Sequence, residues 1–463
     1  MTRYSLILLL LVSIARAAAP PNVLFIAVDD MNDGITLFGE GRPYKTPHIR
    51  ALARRGVFFS RAYCASAACN PSRAAILSGR RPHNTGVYGN DTDWRGATKG
   101  VLTLPEYFGR HGYYTAGCGK IYHHKADGAF NDPGAWDHFR KMDPQYMPAK
   151  KLNGAPGYGS RNTDWGVWPK DREETRTMDY KSVSHAIELL KQKHDKPFFL
   201  ACGIFKPHSP FFAPMKYHGI YDKKIALPQR KADDWSDLPA GAAKLMGAKK
   251  WFWKGMMKVE QDKRGSYRDF IRAYAACCSF ADMSVGRLIS ALDASGHADN
   301  TVIVLWSDHG FHLGEKDHIE KFALWEKANH VPFIIVDPQN PGSAGKTCAH
   351  PVDLTTVYPT LLELCGLPAN DTNDGISVAA QLKDPDRVVS KPALMTYGFR
   401  NHAVRTGRWR YIRYADGTEE LYDHEKDPNE WNNLASDPAY AQVIRKHAGW
   451  LPLNNAKAYG KLR

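Results

Sequence analysis

Three stretches of this chain are almost wholly apolar, of strand length, and run directly into charge. Asn22–Val28 leads to Asp29-Asp30, Phe198–Ile204 to Phe205-Lys206-Pro207-His208, and residues 301–306 to Ser307-Asp308-His309-Gly310. A strand with one wet face alternates polar and apolar residues. A continuous run needs both faces covered, as in the centre of a parallel sheet flanked by helices. Open sheets of that kind gather their ligands at the carboxyl ends of the strands, so the charged residues that close these runs are candidate site residues. Adjacent carboxylates such as Asp29 and Asp30 repel one another unless a cation is shared. A further strand over 113–118 leads to Lys120 and His123, which join the same edge.

The rest of the chain supplies covering layers. Helical patterns over 46–53, 103–110, 177–193, 267–292 and 353–364 alternate with the strands. The 267–292 pattern carries Phe270, Ile271, Tyr274, Cys278, Ala281, Val285, Leu288 and Leu292 on one stripe. Such alternation predicts an α/β sandwich with a large, mainly parallel sheet flanked by helices. From about residue 393 the texture changes: 403–406, 409–414 and 420–423 alternate apolar and polar, with turns at Gly407 and Gly417. Asp437-Pro438 then opens a helix towards Trp450. This predicts a catalytic domain over 20–390 and a smaller antiparallel-sheet subdomain over 391–463. Residues 212 to about 265 are rich in Pro, Lys and Trp and read as a long excursion over the active face. Trp235, Trp251 and Trp253 there either stack on sugar rings or pin the excursion down.

Arg3, the apolar run 6–14 and the small residues Ala15, Ala17, Ala18 and Ala19 form a secretory signal over 1–19, with cleavage expected after Ala17 or Ala19. The expected product is secreted or periplasmic, without a stable membrane span. The eight cysteines show neither a dense disulfide framework nor a zinc-type pair, and Cys348 and Cys365 are the candidates for pairing. A formal net charge of +14 suits an acidic partner. Export and the lack of a long Lys/Arg block argue against nucleic acid and favour a sulfated or uronate-bearing polysaccharide.

Cys69-Asn70-Pro71-Ser72-Arg73 precedes a small-apolar helix that closes in Leu77-Ser78-Gly79-Arg80. Pro71 and Ser72 are helix-opening residues, so Cys69 falls at or just before a helix N-terminus. Free N–H groups and the positive dipole end collect there, and Arg73 and Arg80 add fixed charge. The stretch suits an oxyanion held against a reactive side chain.

In these motifs the chain resembles the type I sulfatases over nearly its whole length, from Asn22 to Asp423-His424-Glu425-Lys426-Asp427-Pro428. Cys69-x-Pro71-Ser72-Arg73 with Leu77-Ser78-Gly79 matches that family's maturation motif, with Ser78 where Thr is usual. Lys120-x-x-His123, Lys206-Pro207-His208 and Asp308-His309-Gly310 with Leu313-Gly314-Glu315 are most similar to the iduronate-2-sulfatase branch. The resemblance implies an alkaline-phosphatase-like sandwich that hydrolyses sulfate esters on a sulfated carbohydrate. It implies that a formylglycine-generating or equivalent enzyme oxidises Cys69 to Cα-formylglycine, which hydrates to a gem-diol. Cys64, lacking the Pro and Arg, would stay a thiol. Asp29, Asp30, Asp308, His309 and the modified Cys69 would hold one divalent cation, calcium in most of the family, with His309 where many members have Asn. One diol hydroxyl would attack sulfur. Arg73 and Lys120 would orient the diol, and Lys321 would hold sulfate oxygens. His208 would protonate the leaving sugar oxygen, and His123 would deprotonate the second hydroxyl.

Two other functions fit the residues. One is a phosphodiesterase or phosphonate hydrolase of the same superfamily. The other is a non-catalytic sulfated-polysaccharide-binding protein that uses the basic surface and loop tryptophans. Arg400, His402 and Arg405 are candidate substrate contacts in the C-terminal sheet.

Overall fold

In the computed structural model, which describes residues 20–123, 131–153, 163–221, 224–247 and 249–461, the apolar runs lie side by side. The signal expected over 1–19 falls outside the described residues. Asn22–Val28 pairs in parallel with Phe198–Ile204 on one side and Thr301–Ser307 on the other, with Val28 opposite both Ile204 and Ser307. That register brings the residues after all three strands to one edge at one height. Asp29 N donates to Ile204 O at 3.1 Å, and Asp308 N to Val28 O at 3.1 Å.

The sheet has eight strands. Tyr114–Gly119 and His138–Arg140 extend it in parallel beyond Phe198–Ile204. Phe333–Val336 runs antiparallel to both its neighbours, Thr301–Ser307 and Val57–Phe59. Parallel neighbours need a crossover, usually a helix. The chain between 308 and 332 builds the site instead and carries only two short helical turns, Glu315–Asp317 and Glu326–Asn329. The sheet is therefore mainly parallel, with one reversed strand.

Alternate residues of the central strand feed two cores. Leu24, Ile26 and Val28 face Ile49, Val183, Ile271 and Leu288, while Val23, Phe25 and Ala27 share a core with Ile76, Leu104, Val357 and Leu361. The 29-residue helix Ser266–Ala294 is the longest support, and its stripe is buried as its periodicity requires. Full burial of each such side chain is worth roughly 1.5–3 kcal/mol.

Residues 212–265 are not an open excursion. Phe211–Ala213 pairs with Trp165–Val167, and helices Met215–His218, Ala240–Gly247 and Trp251–Asp262 follow. Phe252, Met256 and Val259 make the stripe that docks the last helix. The tryptophans are pins: Trp253 packs on Tyr267 at 5.5 Å, Trp251 packs against the core, and Trp235 Nε1 donates to Lys316 O at 2.7 Å. Composition masked that helical stripe in the sequence.

Ala393–Thr396, His402–Arg405, Trp409–Arg413 and Glu419–Asp423 form an antiparallel meander, followed by helix Ala441–Ala448. Of the candidate substrate contacts, Arg405 points into packed structure, whereas His402 stands at the wall of a surface cleft with both ring nitrogens bonded. His402 is buried between Thr396 Oγ1 and Asn455 Oδ1, each at 2.9 Å. Arg405 is buried against Glu326 at 3.3 Å. Cys348 and Cys365, the candidates for pairing, are free like the other six cysteines, and Cys365 meets the Tyr113 hydroxyl.

Candidate active site

The helix Cys69–Ser78 starts after extended Ala68 and stops at Gly79, whose φ of 69° suits glycine. Pro71 costs nothing in the first turn, where N–H groups have no partner within the helix. Cys69 is the first helical residue, and the whole helix is buried. Its Sγ lies 3.1 Å from Lys321 Nζ, 3.2 Å from His309 Nε2, 3.7 Å from Lys120 Nζ and 3.8 Å from Asp29 Oδ1. His123 hydrogen-bonds it as well. Burial pushes the thiol up, but Lys120, Lys321 and His309 pull it well below its ordinary value.

Asp29, Asp30, Cys69 and His309 each bring a ligand atom within 4.8 Å of the others. Asp30 Oδ2 is buried and accepts no hydrogen bond from the described residues. Asp308 stands beside this group with both oxygens engaged. Its Oδ1 accepts from the backbone of Asp30 at 3.1 Å and of His309 at 3.0 Å, and its Oδ2 accepts from Arg73 Nε at 2.8 Å. Arg73 is fully buried; it also reaches Asp29 Oδ1 at 3.3 Å and donates to the carbonyls of Lys120 and Ile121. One guanidinium thus ties three strand ends to the Cys69 helix. Lys120 Nζ donates to Asp29 Oδ2, and Lys321 Nζ to Asp30 Oδ1 at 2.9 Å.

Asp29, Asp30, Asp308 and the Cys69 thiol face Arg73, Lys120 and Lys321, an excess of acid over base. His309 makes it up. Burial would push its imidazole down, but Asp308 and Cys69 hold it up at about 9.

His208 forms the mouth, with its side chain 20% exposed. Its Nδ1 donates to Ser209 O at 2.7 Å, which turns Nε2 inward to 4.0 Å from Asp30 Oδ2. Lys321 is flanked by Glu320 at φ 124° and Phe322 at φ 67°, and Asp30 has φ 59°. Such non-glycine conformations cost energy and cluster at functional sites. Asp29, Lys120, His123, His309 and Lys321 thus meet around Cys69, with Asp30, Arg73 and Asp308 bonded to this group and His208 at its mouth.

The chain matches the sulfatase family profile over residues 21–367, and the C-terminal profile of N-sulphoglucosamine sulphohydrolase over 314–453. It belongs to the sulfatase family. It is 38% identical over 456 residues to a sulfatase of Formosa agariphila, a match covering 94% of this chain and 87% of the relative. It is 31% identical over 382 residues to the iduronate 2-sulfatase of Mus musculus, covering 75% of this chain and 69% of that one. The phosphonate monoester hydrolase of Agrobacterium radiobacter shares the fold, with a TM-score of 0.75 at 24% identity over 93% of this chain and 94% of that one. The protein is a sulfuric ester hydrolase on the expected alkaline-phosphatase-like sandwich.

This sulfatase also uses supports that sequence reasoning missed. Asp179 accepts from the N–H groups of Phe205 at 2.7 Å and Lys206 at 3.0 Å, and buried Lys206 donates to the carbonyls of His208 and Pro210. These bonds aim the His208 loop. The Tyr274 hydroxyl donates to Asp30 O at 2.7 Å and accepts from Asn32 N at 3.0 Å. In sequence Tyr274 reads as one more apolar-stripe position, and Asp179 as an ordinary helix-start acid.

Proposed function

We propose that this sulfatase removes sulfate esters from a sulfated carbohydrate of the glycosaminoglycan type, through a formylglycine made from Cys69 and one divalent cation. The observation that carries the reading is Cys69 itself. It lies in the maturation-motif sequence, at the first position of a buried helix, ringed by Lys120, His123, His309 and Lys321. The net charge of +14 and the likeness to iduronate 2-sulfatase support an anionic sugar chain. Cys69 is buried on the first turn of its helix, which favours maturation before the chain has closed around it. The signal over residues 1–19 would deliver the protein outside the cytoplasm.

Asp29, Asp30, His309 and the modified Cys69 would hold the cation, with Asp308 beside them. The unbonded, buried Asp30 Oδ2 fits such an ion, and carboxylate oxygens favour a hard one such as calcium. When bound, it supplies Lewis acidity that neutralises sulfuryl oxygens and makes a nearby hydroxyl more acidic.

The chain's own groups do the rest. Arg73, locked by Asp29 and Asp308, and Lys120 hold the diol in one orientation for in-line attack on sulfur. Lys321 Nζ faces the sulfate oxygens. His208 Nε2, at the mouth, delivers a proton to the departing sugar oxygen. His123 takes the proton of the second hydroxyl, so that sulfate leaves and the aldehyde re-forms. A thiolate has no second hydroxyl and could not end the cycle this way. The test is a parallel assay of matured protein on sulfated uronate oligosaccharides and on phosphate and phosphonate esters. Release of sulfate from the sugars as the fastest reaction is expected. Faster cleavage of the phosphorus esters, or tight sugar binding without sulfate release, would overturn the reading.

A further inference from the structure

The first hairpin of the C-terminal sheet, residues 397–401, reaches two places at once. One side lies on the active-site lip. The Tyr397 ring is 5.8 Å from Phe322, the neighbour of Lys321. The Phe399 ring is 5.9 Å from Tyr88, and the next carbonyl, of Gly89, accepts from Asn70 Nδ2 beside Cys69. Phe399 also lines, with Arg400, a cleft of about 580 Å³ walled by Arg413, Tyr414 and residues 451–455.

This cleft has a definite chemistry. Arg400, Arg413 and the His402 ring line it, and among the described residues no carboxylate does. Arg413 only leans on Glu419 at 3.8 Å, with its side chain 45% exposed. Phe399 is 42% exposed and Leu453 is 98% exposed, so apolar faces stand in water beside two guanidiniums. Arg400 sits at φ 62°, a backbone conformation that bulky residues seldom adopt. The volume falls within the roughly 300–1,000 Å³ of ligand sites. A sugar ring offers what the cleft lacks: C–H faces for the apolar side chains and an anionic substituent for the guanidiniums.

We propose that this cleft is a second subsite, which binds another anionic sugar of the same polymer while the ester under attack lies at Cys69. The proposal rests on the carbohydrate reading above and makes the enzyme selective for chains over single sugars. The anion is a sulfate half-ester or a uronate carboxylate, since both accept paired N–H bonds from a guanidinium.

The test measures binding to the full chain carrying Cys69→Ala, which removes turnover from the readout. The probes are a heparin disaccharide, a heparin hexasaccharide and the desulfated hexasaccharide, titrated by calorimetry. The cleft variant is Arg400→Asn with Arg413→Gln, since Asn tolerates the left-handed backbone at residue 400. The control is Arg54→Gln with Arg110→Gln, two exposed sites that remove the same charge. The cleft variant should bind the heparin hexasaccharide about tenfold more weakly or worse, with disaccharide affinity unchanged and the control like the parent. A matching loss for the desulfated chain assigns the carboxylate as the anion, and a loss confined to the sulfated chain assigns the sulfate; either supports the cleft. An unchanged hexasaccharide affinity, no hexasaccharide binding at all, or an equal loss in the control would overturn it. If matured protein releases no sulfate from these sugars while the cleft variant still loses hexasaccharide binding, the carbohydrate-sulfatase reading fails and the cleft stands.

Discussion

Cys64 and Cys69 carry the same side chain in the same buried layer and differ in everything around it. Cys64 Sγ faces the Asn329 side-chain oxygen at 3.5 Å, and burial drives its thiol well above the ordinary value. Cys69 faces ammonium and imidazole groups and goes the other way. Cys69→Ala should abolish sulfate release and leave the thermal midpoint within a few degrees of the parent; retained turnover would remove it as the nucleophile. His208 makes a finer prediction. A sugar alkoxide needs a proton to leave, whereas the phenolate of an activated aryl sulfate does not. His208→Gln should lower kcat on a sulfated sugar by about 10²–10⁴-fold and affect the aryl sulfate far less; equal losses would contradict the acid role. Much of this scale was legible in the sequence, because site residues at strand ends stand out against apolar runs. Arg400, His402 and Arg405 were not separable there, since the sequence does not say which groups of the strand His402–Arg405 a second layer covers, or that the turn before it, with Arg400, stays open. The structure buries His402 and Arg405 and leaves Arg400 exposed.

At the scale of elements, the helix Ser266–Ala294 binds the sandwich together by more than its apolar stripe. Asp282 projects from it and accepts from the backbone N–H groups of His48 at 3.1 Å and Ile49 at 2.7 Å, capping the helix Pro47–Ala53. Burial raises this carboxyl to about 7, against the pull of those two N–H groups. Between pH 4 and 7 the folded protein therefore keeps a proton that the unfolded chain has released, so this group's contribution to stability falls as pH rises. Asp282→Asn should lack that decline, which amounts to about 4 kcal/mol at most for a shift of this size. Denaturant midpoints of both proteins between pH 4 and 7 would show it, and parallel pH slopes would contradict it. The central strands and this helix were readable because burial on both faces, or on one stripe, leaves a periodic mark. The reversed strand Phe333–Val336 and the helices within 212–265 were not. Pairing direction depends on how the connection is spent, and the Pro-, Lys- and Trp-rich composition hid a docking stripe.

The whole molecule is closed by buried charge. The C-terminal sheet meets the sulfatase body where Glu326 takes Arg405 and Arg410, and Glu430 takes Arg410 at 2.7 Å and His424 at 3.0 Å. Glu326, His424 and Glu430 lie close enough to hold an ion, yet these guanidiniums already neutralise the acids. Burial opposes the charge on Glu326, but Arg405 and Arg410 hold its carboxyl well below the usual range. Glu326→Gln would leave Arg410, 0% exposed, short of its main counter-charge, at a cost of about 3–5 kcal/mol. The lost stability should appear in urea unfolding and as faster hydrogen exchange in the C-terminal strands; an unchanged midpoint would contradict this account of the junction. Nothing in the sequence announced the junction, because its partners are 84 residues apart for Glu326 and Arg410 and leave no local pattern.

The account turns on the fate of one side chain within this closed frame. Trypsin cuts after Arg61 and Arg73, so residues 62–73 form one peptide that carries both Cys64 and Cys69. Mass spectrometry of this peptide from active native protein should find an aldehyde at residue 69 and an intact thiol at residue 64. A preparation that hydrolyses sulfate esters at full rate with only cysteine at both positions would contradict the account.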